Sequence, residues 1–181
     1  SDGGAIFTNN DHLAEKLNLI ANHGQREKYN YEIIGINSRL DNMQAAILRI
    51  KLKHLDEYIK ARQTAAQYYD AAFSEVNGIK VPFRSGRSTH VFHQYTIQIP
   101  EANRDAIRQI LSSKNVPSMI YYPSPMHLQN AYKYLNYKKG DLPISESASN
   151  RVLSLPMHTE LDEEQLQCIT DNVIEAINSF K

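Results

Sequence analysis

Between Ser38 and Ser74 the sequence carries two apolar stripes at helical spacing, and no other feature limits the fold as strongly. Leu40, Met43, Ile47 and Ile50 form one stripe; Leu48, Leu52, Leu55 and Ile59 form the second. Two stripes require cover on two faces. A helix over the whole stretch would run about 55 Å at ~1.5 Å per residue, which outruns a small domain. The expected role is therefore a bridge between two domains or a subunit interface. Ser38 followed three residues later by Asp41 resembles a capping box, with Asp in place of the usual Glu or Gln.

The flanks read as alternating strands and helices. Gly4–Thr8 is expected as a short buried strand, and Asp11 as the cap of a helix to Ala21 with Leu13, Leu17 and Ile20 inward. His23–Gly35 has no clean period and holds Arg26, Lys28, Tyr29 and Tyr31, the composition of a binding loop. Strands follow at Ile79–Val81 and His90–Ile99, the latter with Val91, His93, Tyr95, Ile97 and Ile99 on one face. A helix over Arg104–Lys114, a strand over Val116–Tyr122, a helix near Ser145–Asn150, a strand over Val152–Leu155 and a helix over Asp162–Phe180 complete the pattern. From residue 76 onward this predicts a small α/β layer with helices packed on a sheet.

Charge excludes some functions. The 181 residues hold 20 basic and 20 acidic side chains, a formal net charge of +0, which gives no electrostatic footprint for nucleic acid or an anionic membrane. No apolar run approaches the roughly 18 residues of a membrane span. A single cysteine, Cys168, rules out an internal disulfide framework and fits a reducing cytoplasm; its apolar helical surroundings predict a buried thiol. The opening Ser1-Asp2-Gly3-Gly4, directly before an apolar run, reads as a cut through a larger protein.

Two constellations carry chemistry. The first is Gly35-Ile36-Asn37-Ser38-Arg39-Leu40. A helix N-terminus between Asn37 and Arg39 would direct free amide N–H groups at an anion, with the Asn37 amide and the Arg39 fork beside them. The alternative is a capped helix with Arg39 paired to Asp41 at the surface. The second runs from Tyr121 and Tyr122 through Pro123 and Pro125 to His127 and Gln129. Aromatic rings and a histidine at a strand end suit a nucleobase or sugar hydroxyl; a tyrosine-rich packing seam is the alternative. His90 and His93, three apart on a strand, face opposite sides and share no metal. His158 reads as a turn residue, Asp162, Glu163 and Glu164 as capping charge, and Lys138-Lys139 as a solvated pair.

Taken in order, Gly3-Gly4-Ala5-Ile6-Phe7-Thr8-Asn9, His23-Gly24, Gly35-Ile36-Asn37-Ser38-Arg39-Leu40-Asp41, Gln44–Leu48, His90–Tyr95, Tyr121–Gln129 and Val152–His158 resemble the DegT/DnrJ/EryC1/StrS family of sugar aminotransferases across essentially the whole chain. That resemblance implies the C-terminal part of a fold-type-I aminotransferase, dependent on pyridoxal 5'-phosphate (PLP) and active as a homodimer with shared sites. It divides the chain into residues 1–36, the tail of the large PLP-binding domain; 37–75, a long inter-domain helix; and 76–181, a small α/β domain. By motif match Asn37 reaches the PLP phosphate of the neighbouring protomer and Arg39 lies near the sugar nucleotide. Tyr121, Tyr122 and His127 fall in the segment that lines the sugar-nucleotide pocket, where relatives often have His-Tyr-Pro in place of Tyr121-Tyr122-Pro123.

The family's Schiff-base lysine falls upstream of Ser1, so the chain is expected to hold no catalytic residue, to bind no PLP by itself and to be inactive alone. The implied reaction moves an amino group from glutamate to a keto-sugar nucleotide, UDP-linked, in polysaccharide or glycan biosynthesis. A sugar-nucleotide dehydratase with histidine in place of the lysine, and a non-catalytic dimerisation or sensing module, are the alternatives.

Apolar side chains along Leu40–Ile59 are expected to stand uncovered in the isolated chain, at about 1.5–3 kcal/mol for each side chain fully buried elsewhere. Self-association follows, to be read by light scattering coupled to gel filtration; a monodisperse monomer that binds no apolar dye would contradict it.

Overall fold

Asp162 starts the last helix as its sequence requires. The side chain of Asp162 accepts from Gln165 N at 2.8 Å, and Gln165 Oε1 accepts from Asp162 N at 3.2 Å, a reciprocal capping box. In the computed structural model, which describes residues 4–100 and 103–180, this helix is the last of six. They are α1 (Asp11–Ala21), α2 (Asn42–Lys51), α3 (Leu55–Phe73), α4 (Arg104–Ser113), α5 (Pro143–Arg151) and α6 (Glu163–Asn178). Strands β1 (Gln25–Glu27), β2 (Asn30–Tyr31), β3 (Tyr95–Gln98) and β4 (Val152–Leu155) complete the regular elements, with 3-10 turns at Leu52–His54, Met126–Leu128 and Asn130–Leu135. The first three residues of the expected opening turn lie outside the described residues. The chain divides into two units, one up to Lys53 and one from His54 onward.

In the first unit, α1 spans the predicted residues, but its cap is Asn10, whose side chain accepts from Leu13 N at 3.0 Å; Asp11 is the first helical residue. Gly4–Thr8, expected as a strand, has no regular structure. A strand needs a neighbouring ladder, and no described residue pairs with this one. The predicted loop His23–Gly35 contains a small antiparallel hairpin, β1 with β2. The predicted long helix starts later than Ser38: Asp41 is the cap, accepting from Met43 N at 2.8 Å, and Asn42 opens α2. It is also interrupted by the 3-10 turn at Leu52–His54. No glycine or proline stands there, and the residues offer no physical account of the break. Met43 is 73% exposed and Leu52 69%, and the apolar stripes from Leu40 to Leu55 are uncovered in this chain.

The second unit holds the core. Helix α3 turns Ala65, Ala66, Tyr69 and Phe73 inward, α4 adds Ile107 and Leu111, and α6 adds Leu166, Ile169, Val173, Ala176 and Ile177. Beneath them β3 and β4 pair antiparallel, Tyr95 opposite Leu155 and Ile97 opposite Leu153. The flanking strands predicted at Ile79–Val81 and Val116–Tyr122 shrink to single bridges, Lys80 to Gln98 and Met119 to Ser154. Pro82 and Pro117 lack the N–H that a longer ladder needs.

The strand predicted from His90 begins only at Tyr95, because Phe92 adopts φ 48° and turns the chain. Phe92 is consequently buried and Val91 exposed, the reverse of the alternation. Cys168, predicted buried, is exposed. The inward residues of α6 recur at 166, 169, 170, 173, 176 and 177, and position 168 lies about 200° around the helix from 166 at ~100° per residue.

Burial raises the phenols of Tyr69 and Tyr95 above the usual value, and the hydrogen bond that Tyr95 donates to Asp70 at 2.8 Å adds to the rise for Tyr95. A proton held more tightly in the folded state stabilises it fully below about pH 10 and less as the unfolded phenols ionise above it. With no tryptophan to interfere, absorbance at about 295 nm should show these two tyrosines ionising only together with loss of the near-ultraviolet dichroism. Free titration of Tyr95 with the fold intact would refute the burial argument.

Candidate functional site

The first candidate site is built at the end of α1. Every helix leaves its last carbonyls without partners. Here the segment Ile36–Ser38 supplies them: Ile36 N donates to Ile20 O at 2.8 Å and Ser38 N to Ala21 O at 2.9 Å. His23 N in turn donates to Ile36 O at 2.9 Å, and Gly24 N closes the helix by donating to Leu19 O at 2.7 Å. The two strands of backbone cross at Gly24 and Gly35. A Cβ on Gly24 would sit 1.8 Å from Ile33 O, and one on Gly35 would sit 2.1 Å from Gly24 N. Gly24 also has φ +76°, a region that side chains disfavour. This is the physical content of the His23-Gly24 and Gly35-Ile36-Asn37 blocks.

That crossing sets Asn37 opposite Asn22 in an isolated antiparallel bridge. Arg39 follows, its Nε donating to Asn37 Oδ1 at 3.2 Å and its Nη1 to Asn22 Oδ1 at 3.3 Å. Asn37 and Arg39 are both exposed. The sequence expectation is corrected in one respect: the helix N-terminus lies at Asn42, so its free amides are not between Asn37 and Arg39, and the Ser38 amide is already bonded to α1. Ser38 forms no capping box with Asp41, which caps α2 itself, and the partners of the Arg39 guanidinium are asparagines rather than Asp41. What faces outward is a side-chain donor set, the Asn37 NH2 and the remaining guanidinium nitrogen. This set matches the oxygens of a phosphate monoester or diphosphate. The cluster contains no lysine and no aromatic ring, so it fits the phosphate end of PLP and nothing that would hold the pyridine.

The second candidate lies in the other unit. Tyr121 and Tyr122 meet edge to face at 5.7 Å. With Ser124, Met126, His127 and Leu142 they line a cleft of about 350 Å³. His127 is 8% exposed. Its Nε2 lies 3.1 Å from Glu146 Oε1, and the ring meets the edge of Tyr137 at 6.1 Å. Glu146 gathers more of the loop: its two oxygens accept from Gly140 N at 2.8 and 3.0 Å, and Oε1 accepts from Leu142 N at 3.4 Å. These bonds, the Gly140 amide first, hold the Glu146 carboxyl below its usual range. The structure therefore brings Tyr121, Tyr122 and His127 to one cleft but turns the His127 ring into a clasp with Glu146.

Three residues escaped the sequence reading. Asn22 carries no motif of its own. Arg62 donates to the carbonyls of Phe92 (3.1 Å), His93 (3.2 Å) and Met157 (3.5 Å), pinning the turn before β3; nothing local marks it. Glu146 had a weak signal, an acid in the first turn of a helix opened by Pro143. His158 behaves as a turn histidine, its Nδ1 accepting from Glu160 N at 3.3 Å. Among the described residues no group of His, Cys, Asp and Glu suits a metal, and no helix is long and apolar enough to cross a membrane.

Comparison with known proteins adds context. A model of the DegT/DnrJ/EryC1/StrS aminotransferase family matches residues 1–175. A protein named pleiotropic regulatory protein, from Geobacillus stearothermophilus, is 44% identical over 181 residues, which is 99% of this chain and 48% of the relative. A UDP-2-acetamido-2-deoxy-3-oxo-D-glucuronate aminotransferase from Pseudomonas aeruginosa is 41% identical over 168 residues, covering 93% of this chain and 45% of the relative. Among solved structures, S. venezuelae DesV in complex with a ketimine intermediate superposes with a TM-score of 0.87 at 38% identity, over 93% of this chain and 45% of that one. The chain spans about half the length of the curated relatives it matches.

The Glu146 clasp has a pH signature. A carboxyl held low in the folded state stabilises it above the unfolded value and loses that contribution as pH falls through the folded one. Below about pH 4.5 the amides of Gly140 and Leu142 should lose protection from hydrogen exchange before the α3–α6 core does. Glu146→Gln should show that loss already at neutral pH. Equal protection in both proteins would mean that the clasp does not hold the loop.

Proposed function

The chain belongs to the DegT/DnrJ/EryC1/StrS aminotransferase family, and from that premise we propose that it is the C-terminal portion of a PLP-dependent nucleotide-sugar aminotransferase. The proposed reaction transfers an amino group from glutamate to a keto-sugar nucleotide. A UDP-linked 3-keto sugar is the proposed acceptor, supported by the name of the Pseudomonas aeruginosa relative. Polysaccharide or glycan biosynthesis in the cytoplasm is the proposed setting, and a homodimer with shared sites the proposed assembly.

The observation that carries this reading is the Asn37–Arg39 pair, held against the end of α1 with its remaining donors outward. PLP, when bound, supplies the electron sink that makes amino transfer possible. In this reading the Asn37 amide binds the cofactor phosphate, and Arg39 holds an anionic oxygen of the sugar nucleotide by charge-assisted hydrogen bonds. Tyr121 and Tyr122 offer aromatic faces to the base or sugar, while His127, clasped by Glu146, shapes the cleft instead of reaching into it. The lysine that would carry the cofactor lies, by resemblance, upstream of Ser1, so the chain alone is proposed to be inactive.

The test uses the longer protein that joins this chain to the upstream half of its relatives. With PLP, glutamate and a UDP-3-keto sugar it should release 2-oxoglutarate, and Arg39→Ala should lower kcat/KM about 10- to 100-fold. Absence of turnover with any keto-sugar nucleotide would defeat the proposal. The 181-residue chain mixed with PLP and borohydride should trap no stoichiometric lysine adduct.

A further inference from the structure

Arg39 is a long, flexible side chain on an exposed stretch of backbone, and such a group loses considerable rotamer freedom when it is fixed to bind a ligand. Its fixation here comes from Asn37 and from Asn22, which no motif marks. Asn22 is itself fixed three times over. Its backbone N–H caps α1 by donating to Asn18 O at 3.1 Å and Leu19 O at 3.2 Å. Its backbone pairs with Asn37 in the isolated bridge. Its side-chain Nδ2 donates to Gln25 O at 3.3 Å. The last bond sets the amide's orientation, since a flipped Asn22 would turn its NH2 against the Arg39 guanidinium, donor against donor. The Asn22 carbonyl oxygen is thereby committed to Arg39 Nη1, as the Asn37 oxygen is to Arg39 Nε.

We propose that Asn22 is a positioning residue: together with Asn37 it holds the Arg39 guanidinium by Nη1 and Nε, so that Nη2 stands ready beside the Asn37 NH2 for a ligand's phosphate oxygens. Asn22 touches no ligand in this scheme and acts only through Arg39. The inference rests on the reading of Asn37 and Arg39 as a phosphate-binding pair. The shared chemistry is a phosphate oxygen; the two sources are the monoester of PLP and the diphosphate of a uridine nucleotide.

The experiment is a double-mutant cycle in the longer protein, reading dissociation constants for PLP and, separately, for UDP by calorimetry rather than activity. Arg39→Ala should weaken one of the two ligands, which identifies the source. Asn22→Ala should weaken the same ligand about fivefold, the size of one ordinary hydrogen bond lost at an exposed site. In the Arg39→Ala background Asn22→Ala should change nothing further. Near-ultraviolet dichroism and the melting temperature of each variant, expected to match the parent's, serve as the control for folding. An Asn22→Ala effect that persists undiminished without Arg39 overturns the proposal, as does no Asn22→Ala effect where Arg39→Ala has one. If Arg39→Ala changes neither ligand, the phosphate-site reading itself fails, and the positioning role with it.

Discussion

Two stretches of backbone pass each other at Gly24 and Gly35 with no room for a β-carbon on either. The candidate phosphate site depends on that approach. Only because the chains touch can Ile36 and Ser38 bond the last carbonyls of α1, and only then does Asn37 come to lie across from Asn22. A helix C-terminus that would otherwise turn to water becomes the platform on which Arg39 is fixed. The site is thus a by-product of capping: the same bonds that finish α1 register the side chains.

Helix α3 plays the matching part in the second unit. Arg62 bonds the carbonyls just before β3 and just after β4, and Tyr69 OH donates to Pro156 O at 2.9 Å. Asp70 accepts from Tyr95 at 2.8 Å and pairs with Arg84, whose guanidinium lies 4.0 Å over the Phe92 ring. The buried Tyr69 and Tyr95 hydroxyls are thereby satisfied, and leaving either without a partner would cost about 1–3 kcal/mol. One helix thereby fixes the end of the short sheet where β3 begins and β4 finishes, a sheet that four ladder pairs alone would hold only weakly. The tyrosine cleft is steadied separately, by the Glu146 carboxylate gathering His127, Gly140 and Leu142.

The uncovered apolar stripes on α2 and the turn after it have no such partner among the described residues. A helix with two apolar faces is built for cover, and the chain spans about half the length of its curated relatives. The exposure fits the proposal that these residues belong to a larger assembly. Gly4–Thr8, read as a strand, pairs with no described residue.

Local patterns were readable without coordinates. The capping charge at Asp162, the helix over residues 11–21, the strand Val152–Leu155 and the helix that begins at Arg104 follow from neighbours within a few positions. The motif blocks singled out Asn37 and Arg39, which the structure shows hydrogen-bonded to each other, although the helix start inferred from Ser38 was off, since Asp41 competes for the same role and wins. Other features depended on partners far away in sequence. Burial of Phe92 instead of Val91 follows from a turn that Arg62 pins from 30 residues away. The clasp on His127 comes from an acid 19 residues on, and the anchor of Arg39 from an asparagine 17 residues back. By itself the sequence determined most helices, the strand Val152–Leu155 and the family, because caps and periodicity are local. Only the tertiary structure decided which polar groups meet, because a hydrogen bond across a fold depends on where two distant backbones cross.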